Sequence, residues 1–296
     1  MEERIDYMLG TFDSPNINSV RRLTPEQYNE YTEYIGILRA YSTDQRLFRL
    51  VEMNYDDLKK RVEHYNRLYV KDEQKMDFIE IELIYLDINR LILNLLSSVR
   101  TYLDHTETRL KRKYGNLSEQ YKLFQTTTAT AFDNFFAYRF LYKVRNYAQH
   151  CGLPSGSVEI NSSGDAEGKT VNTMNIYFVR DHLLNVYDSW GPVKDELSKM
   201  DDQFDVLPLI EEKFKLIGEI NKTIATKELD EHKTAAHVLV NLIFETEATG
   251  GIPCIFKING TRENPKLTFS WFPYDVISAS TGVEINIGYM DETLNP

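Results

Sequence analysis

The chain has 296 residues, 42% of them hydrophobic and 27% charged, which is enough apolar material for one large or two smaller globular domains. A formal charge of −11 excludes broad electrostatic coating of DNA or RNA, while leaving room for a local basic site. Two cysteines, Cys151 and Cys254, exclude a disulfide framework and a thiolate zinc cluster.

Residues 1–23, with Gly10 and Pro15, read as a loose lead-in. Thr24-Pro25-Glu26-Gln27 then supplies an N-cap, a proline at the first helical position and a capping-box glutamine, so a helix is expected to about residue 41. Ser42 and Gln45 repeat the pattern and predict a second helix to about residue 69. The longest periodic segment runs over 76–114 and stops at Gly115-Asn116. A further helix starts near Ser118, with a break expected around 126–130, and ends at Cys151 before Gly152 and Pro154.

From 157 to 180 the pattern turns to alternation about a Gly/Asp/Ser-rich turn, which predicts a hairpin. Asp181 is placed to cap a short helix to Trp190, helical pattern restarts at Pro192, and Pro208 opens another long helix to about Thr249. The tail reads as strands at 252–258, 267–272 and 283–289, with a turn at Asn259-Gly260. The expected fold is mainly α: an N-terminal helical segment over 1–72, a helical bundle over 73–250 with a hairpin at about 157–180, and a C-terminal β extension over 251–296. The N-terminus lacks the apolar core of a signal peptide, and the most apolar stretch, 78–96, is interrupted by Glu80, Glu82, Asp87 and Arg90. A cytoplasmic protein with no membrane span is expected.

Chemistry concentrates in 138–154. Residues 100–145 carry nine Lys or Arg against four Asp or Glu, a local basic excess inside an acidic chain. On an ideal helix Arg139, Lys143, Asn146 and His150 fall within about 60° of one another. Ala137, Phe140, Val144, Ala148 and Cys151 form the opposing apolar face. Such a line could engage a phosphodiester: Arg139 and Lys143 would hold RNA phosphates, Asn146 would donate or orient, and His150 would move a proton. His150 lies in the last helical turn, where the helix dipole favours the imidazolium form. A polar stripe opposite an apolar face is also what any amphipathic helix shows, so the geometry alone does not choose.

Arg145-Asn146-x-x-x-His150, near the end of a long helix, resembles the signature of the HEPN superfamily: Arg, a polar residue, then His after a short gap. The resemblance covers roughly 76–250 and implies a HEPN-like helical bundle. It also implies a metal-independent endoribonuclease without cofactor, whose paired subunits bring two Arg/His motifs into one cleft. On the matching positions, His150 would act on the ribose 2′-hydroxyl or the leaving oxygen, Arg145 would hold the scissile phosphate, and Asn146 would support either task. The implied product is a 2′,3′-cyclic phosphate, and the implied setting is a toxin or antiviral effector with RNA as partner, a homodimer, and a regulatory protein as a further partner. The alternative is a non-catalytic HEPN-like module that binds RNA, nucleotide or protein. Arg145 and His150 stand about 140° apart on an ideal helix, which favours assembly across two subunits. Some toxin relatives carry a modifiable Tyr two residues after the His; here that position is Gly152.

Other clusters are weaker. Asp87, Asn94, Ser98, Thr101 and His105 align on the long helix and read most simply as its solvated stripe, with Arg100 and Asp104 as a surface ion pair. His150 and Cys151 are helical neighbours pointing about 100° apart, poorly placed for a thiolate–imidazole pair. His232 and His237 lack zinc-protease spacing, so no metal site is assigned.

Overall fold

The computed structural model describes residues 4–71, 77–154, 156–164, 170–261 and 264–285. In chain order it contains β1 (Arg4–Asp13), β2 (Asn16–Leu23), α1 (Pro25–Asn66), a π-helical turn (Arg67–Lys71), α2 (Phe78–Tyr114), α3 (Glu119–Asn134) and α4 (Phe136–Cys151). Then follow β3 (Gly156–Gly164), β4 (Thr170–Val179), α5 (Arg180–Val186), α6 (Val193–Leu197), β5 (Gln203–Asp205), α7 (Leu207–Thr246), β6 (Ile252–Thr261), β7 (Asn264–Trp271) and α8 (Tyr274–Thr281). The fold is mainly α, with a β-hairpin and C-terminal strands. Among the described residues no helix is long and apolar enough to cross a membrane.

The compact units do not follow the three consecutive segments expected from sequence. One unit combines 1–46 with 225–296, and the other is 47–224. The first has a four-stranded antiparallel sheet of order β2-β1-β6-β7. Leu9 and Ile255 of the sheet pack with Ile35 and Leu38 of α1, Leu239 and Ile243 of α7, and Ile277 of α8. The supposed lead-in is therefore a hairpin that forms half of a sheet. Gly10 marks a bulge in it, and a Cβ there would lie 2.1 Å from the Asn18 carbonyl oxygen, so this apparent breaker is what permits the pairing.

Helix α1 also runs unbroken through the expected stop at 41–42. The Ser42 hydroxyl bonds Asp275 at 3.2 Å rather than capping a new helix. The turn expected at Asn259-Gly260 falls within β6, where Gly260 pairs with Pro265. Residues 282–285 have no regular structure, and 286–289 of the expected last strand lie outside the described residues.

In the unit 47–224, α2 starts at a capping box: Asp77 accepts from the Glu80 amide at 2.8 Å and the Glu80 carboxylate accepts from the Asp77 amide at 3.0 Å. It ends at Gly115, whose φ of 90° suits glycine. Ser118 caps α3 by accepting from the Tyr121 amide at 3.2 Å. The expected break at 126–130 is absent. The Thr127 and Thr128 hydroxyls donate to the Leu123 and Phe124 carbonyls one turn back, at 2.7 and 2.8 Å, and the helix continues. The chain breaks instead at Phe135, whose extended backbone separates α3 from α4. A small antiparallel sheet of order β3-β4-β5 packs Ile176 and Phe178 into the same core as Ile88, Leu95, Phe140 and Trp190. Each such buried side chain contributes roughly 1.5–3 kcal/mol.

Candidate functional site

Helix α4 is set by its aromatic face. Phe140 stacks on Phe136 at 5.2 Å and on Trp190 at 5.8 Å, and Tyr147 stacks on Trp190 at 6.1 Å. The Trp190 indole in turn donates to the Leu183 carbonyl at 3.0 Å. Ala137, Tyr138, Phe140, Leu141, Val144 and Tyr147 are buried, a broader face than the sequence pattern drew. Ala148 and Cys151 are half-buried, and the Cys151 thiol reaches the Val186 carbonyl at 3.6 Å.

This leaves α4 with two cationic flanks. On one, Arg139 is nearly enclosed, its side chain 11% exposed. Its Nη1 donates to the Phe132 and Asp133 carbonyls at 2.5 and 2.7 Å, and its Nη2 to both Glu196 carboxylate oxygens at 2.7 and 2.9 Å. Lys143 donates to the Ser189 carbonyl at 2.7 Å. Both side chains expected to hold RNA thus fasten α4 to its own chain. With Nη1 on two carbonyls and Nη2 on a carboxylate, the nearly enclosed Arg139 guanidinium is a structural anchor.

On the other flank Arg145 lines a cavity of about 10 Å³ between α2, α4 and α7, together with Arg100, Tyr138, Tyr142 and Lys213. Arg145 Nη1 donates to Gln149 at 2.7 Å and reaches Asn146 Oδ1 only at 3.5 Å; its Nε is buried without a partner. Arg100 pairs with Asp104 at 2.7 Å, the ion pair expected from their spacing, and its guanidinium lies 5.4 Å from the Tyr142 ring centroid. Lys213 is buried, with its Nζ 5.2 Å from the Tyr138 ring and a long 3.4 Å bond to the Tyr138 carbonyl. Burial, and then the charge of Arg100, pushes the Lys213 ammonium down to about 7. Among the described residues no carboxylate pairs with Arg145 or Lys213.

His150 is exposed in the last turn of α4. Within one chain, therefore, Arg145 is brought to Arg100 and Lys213 and not to His150. The α2 stripe behaves as a solvated one: Asn94, Thr101 and His105 are exposed, Ser98 bonds back to Leu95, and Asp87 is held by Arg61 and Arg90. Lys213 was missed from sequence, yet its signal is present. It occupies one position of the buried stripe Ile210, Lys213, Ile217, Ile220, Ile224, where every other member is isoleucine. A larger and mostly apolar cavity of about 350 Å³, walled by Tyr55, Leu58, Val62, Met174 and Ile210, involves none of the motif residues.

No protein-family model matches the chain, and no curated protein or solved structure matches it.

Proposed function

We propose that the chain is a phosphodiester-directed protein of HEPN type, a metal-independent endoribonuclease acting as a homodimer, in a toxin or defence setting. The observation that carries the reading is the end of α4, where an arginine faces a cationic cavity without a carboxylate partner and a histidine stands free in the last turn. Arg145 holds the phosphate and offsets its developing charge, His150 transfers the proton, and Asn146 beside Arg145 supports the phosphate. Since the two principal groups point apart on one helix, the site is completed across two subunits, Arg145 of one working with His150 of the other.

The test is cleavage of single-stranded RNA in EDTA by wild type and His150→Ala, with end-group analysis and sedimentation. Cleavage by wild type alone, leaving 2′,3′-cyclic phosphates from a dimer, is the expected result. Equal cleavage by both proteins overturns the assignment of His150. The divergence of Arg145 and His150 within one chain favours a second reading, a phosphate-binding module without catalysis. It predicts RNA binding without turnover.

A further inference from the structure

A buried ammonium without a counter-charge is costly, because desolvation is not repaid by pairing. Lys213 is 5% exposed and sits where isoleucine would continue the stripe of α7. Its contacts are the ring face and one distant carbonyl of Tyr138. A methionine would fill the same space without the electrostatic penalty. Two more cations, Arg100 and Arg145, line the same cavity; Arg100 adds repulsion, and the Arg145 Nε is left buried and unpartnered.

We propose that the cavity between α2, α4 and α7 seats a phosphate group, with Lys213 at its floor and Arg100 and Arg145 at its rim. The inference rests on the phosphodiester-directed reading above and adds to it two residues outside the Arg145-Asn146-x-x-x-His150 motif. At about 10 Å³ the cavity has room for one water-sized atom. One phosphate oxygen reaches towards Lys213 while the rest of the group stays between the guanidiniums, of which the Arg100 side chain is 38% exposed. Arg145 offers Nε and Nη2, since Nη1 is held by Gln149. Arg100 offers its terminal nitrogens, since Nε is held by Asp104. The phosphate supplies the counter-charge that Lys213 and Arg145 lack, and a planar guanidinium on either side suits its oxygens.

Phosphate could arrive on a free nucleotide or within an RNA backbone. Calorimetric titration of the full chain with inorganic phosphate, with adenosine monophosphate and with a 2′-O-methyl oligoribonucleotide separates the two. The oligonucleotide has diesters but no nucleophilic hydroxyl, so binding is read without cleavage. Binding of the oligonucleotide alone assigns the seat to RNA, and comparable binding of the mononucleotide assigns it to a free phosphate. In either case Lys213→Met weakens binding by roughly ten- to a hundredfold. Should that variant fail to fold, Arg100→Gln, at a partly exposed position, carries the same expectation. No binding of any probe, or wild-type affinity in a folded Lys213→Met protein, overturns the proposal. Cleavage that needs His150 while binding ignores Lys213 removes this inference and leaves the nuclease. Lys213-dependent binding without cleavage does the reverse.

Discussion

The two flanks of α4 carry the same charge and differ in what meets it. Arg139 and Lys143 face Glu196 and three backbone carbonyls, so their donors are engaged within the chain. Arg145 faces Arg100 and Lys213 across a cavity, and Asp104, the acid that pairs there, holds Arg100. A helical wheel treats the polar side chains as one class. What separates a fastener from a candidate ligand group is whether a neighbouring element supplies an acceptor. Here α6 and the 187–192 segment do so on one side, while α2 and α7 bring more cations on the other.

That contrast can be broken from either side. The largest effect is expected on the engaged flank. Arg139→Ala should lower unfolding free energy in urea by about 3 kcal/mol, because it removes the bonds of a nearly enclosed guanidinium to Glu196 and two carbonyls. A loss below about 1 kcal/mol would mean that the anchor is not one.

Next comes the pH dependence of Lys213. Folded, it releases its proton near 7; unfolded, near the ordinary 10.5. Between those values the unfolded chain binds the extra proton, so the penalty, full below 7, is relieved as pH rises. Wild type should gain roughly 2 kcal/mol between pH 7 and 9 relative to Lys213→Met, measured by paired urea melts. Parallel curves would show that the lysine is not desolvated. Smaller still is Lys143→Ala, expected to cost about 1 kcal/mol through its single carbonyl bond. At the bottom, Asp104→Ala should change stability by only a few tenths of a kcal/mol, being a partly exposed i,i+4 pair. It would also free the Arg100 Nε, and oligonucleotide affinity should rise.

What sequence made legible was local. Gly115, Ser118 and the stop after Cys151 could be read because their signals act within a turn of the chain, whereas the break at Phe135 carries no such signal. Ser42 misled because its hydroxyl has a partner more than two hundred positions away in Asp275, which no local pattern announces. The N-terminal strands were hidden by Gly10 and Pro15, residues that punctuate most chains; here the glycine accommodates Asn18 and Phe256 at a bulge. The same distinction holds at the site. Arg145, Asn146 and His150 stand out by spacing, whereas the ties of Arg139 and Lys143 depend on where α6 and Ser189 fold back. Lys213 lies in a different helix from the motif, and only the packing of α7 beside α4 gives it meaning.

Strand β1 lies between β2 and β6, with Met8 opposite Phe256. Everything the unit 47–224 needs leaves the ribosome before β6 does, at roughly 5–20 residues per second. For about ten seconds or more the β1–β2 hairpin has an open hydrogen-bonding edge on the β1 side. The helical unit can thus mature first while β1 waits for its own partner. Over-expression at high temperature should therefore cause aggregation through β1 before any failure of the helical unit, and charged substitutions along β1 should relieve it.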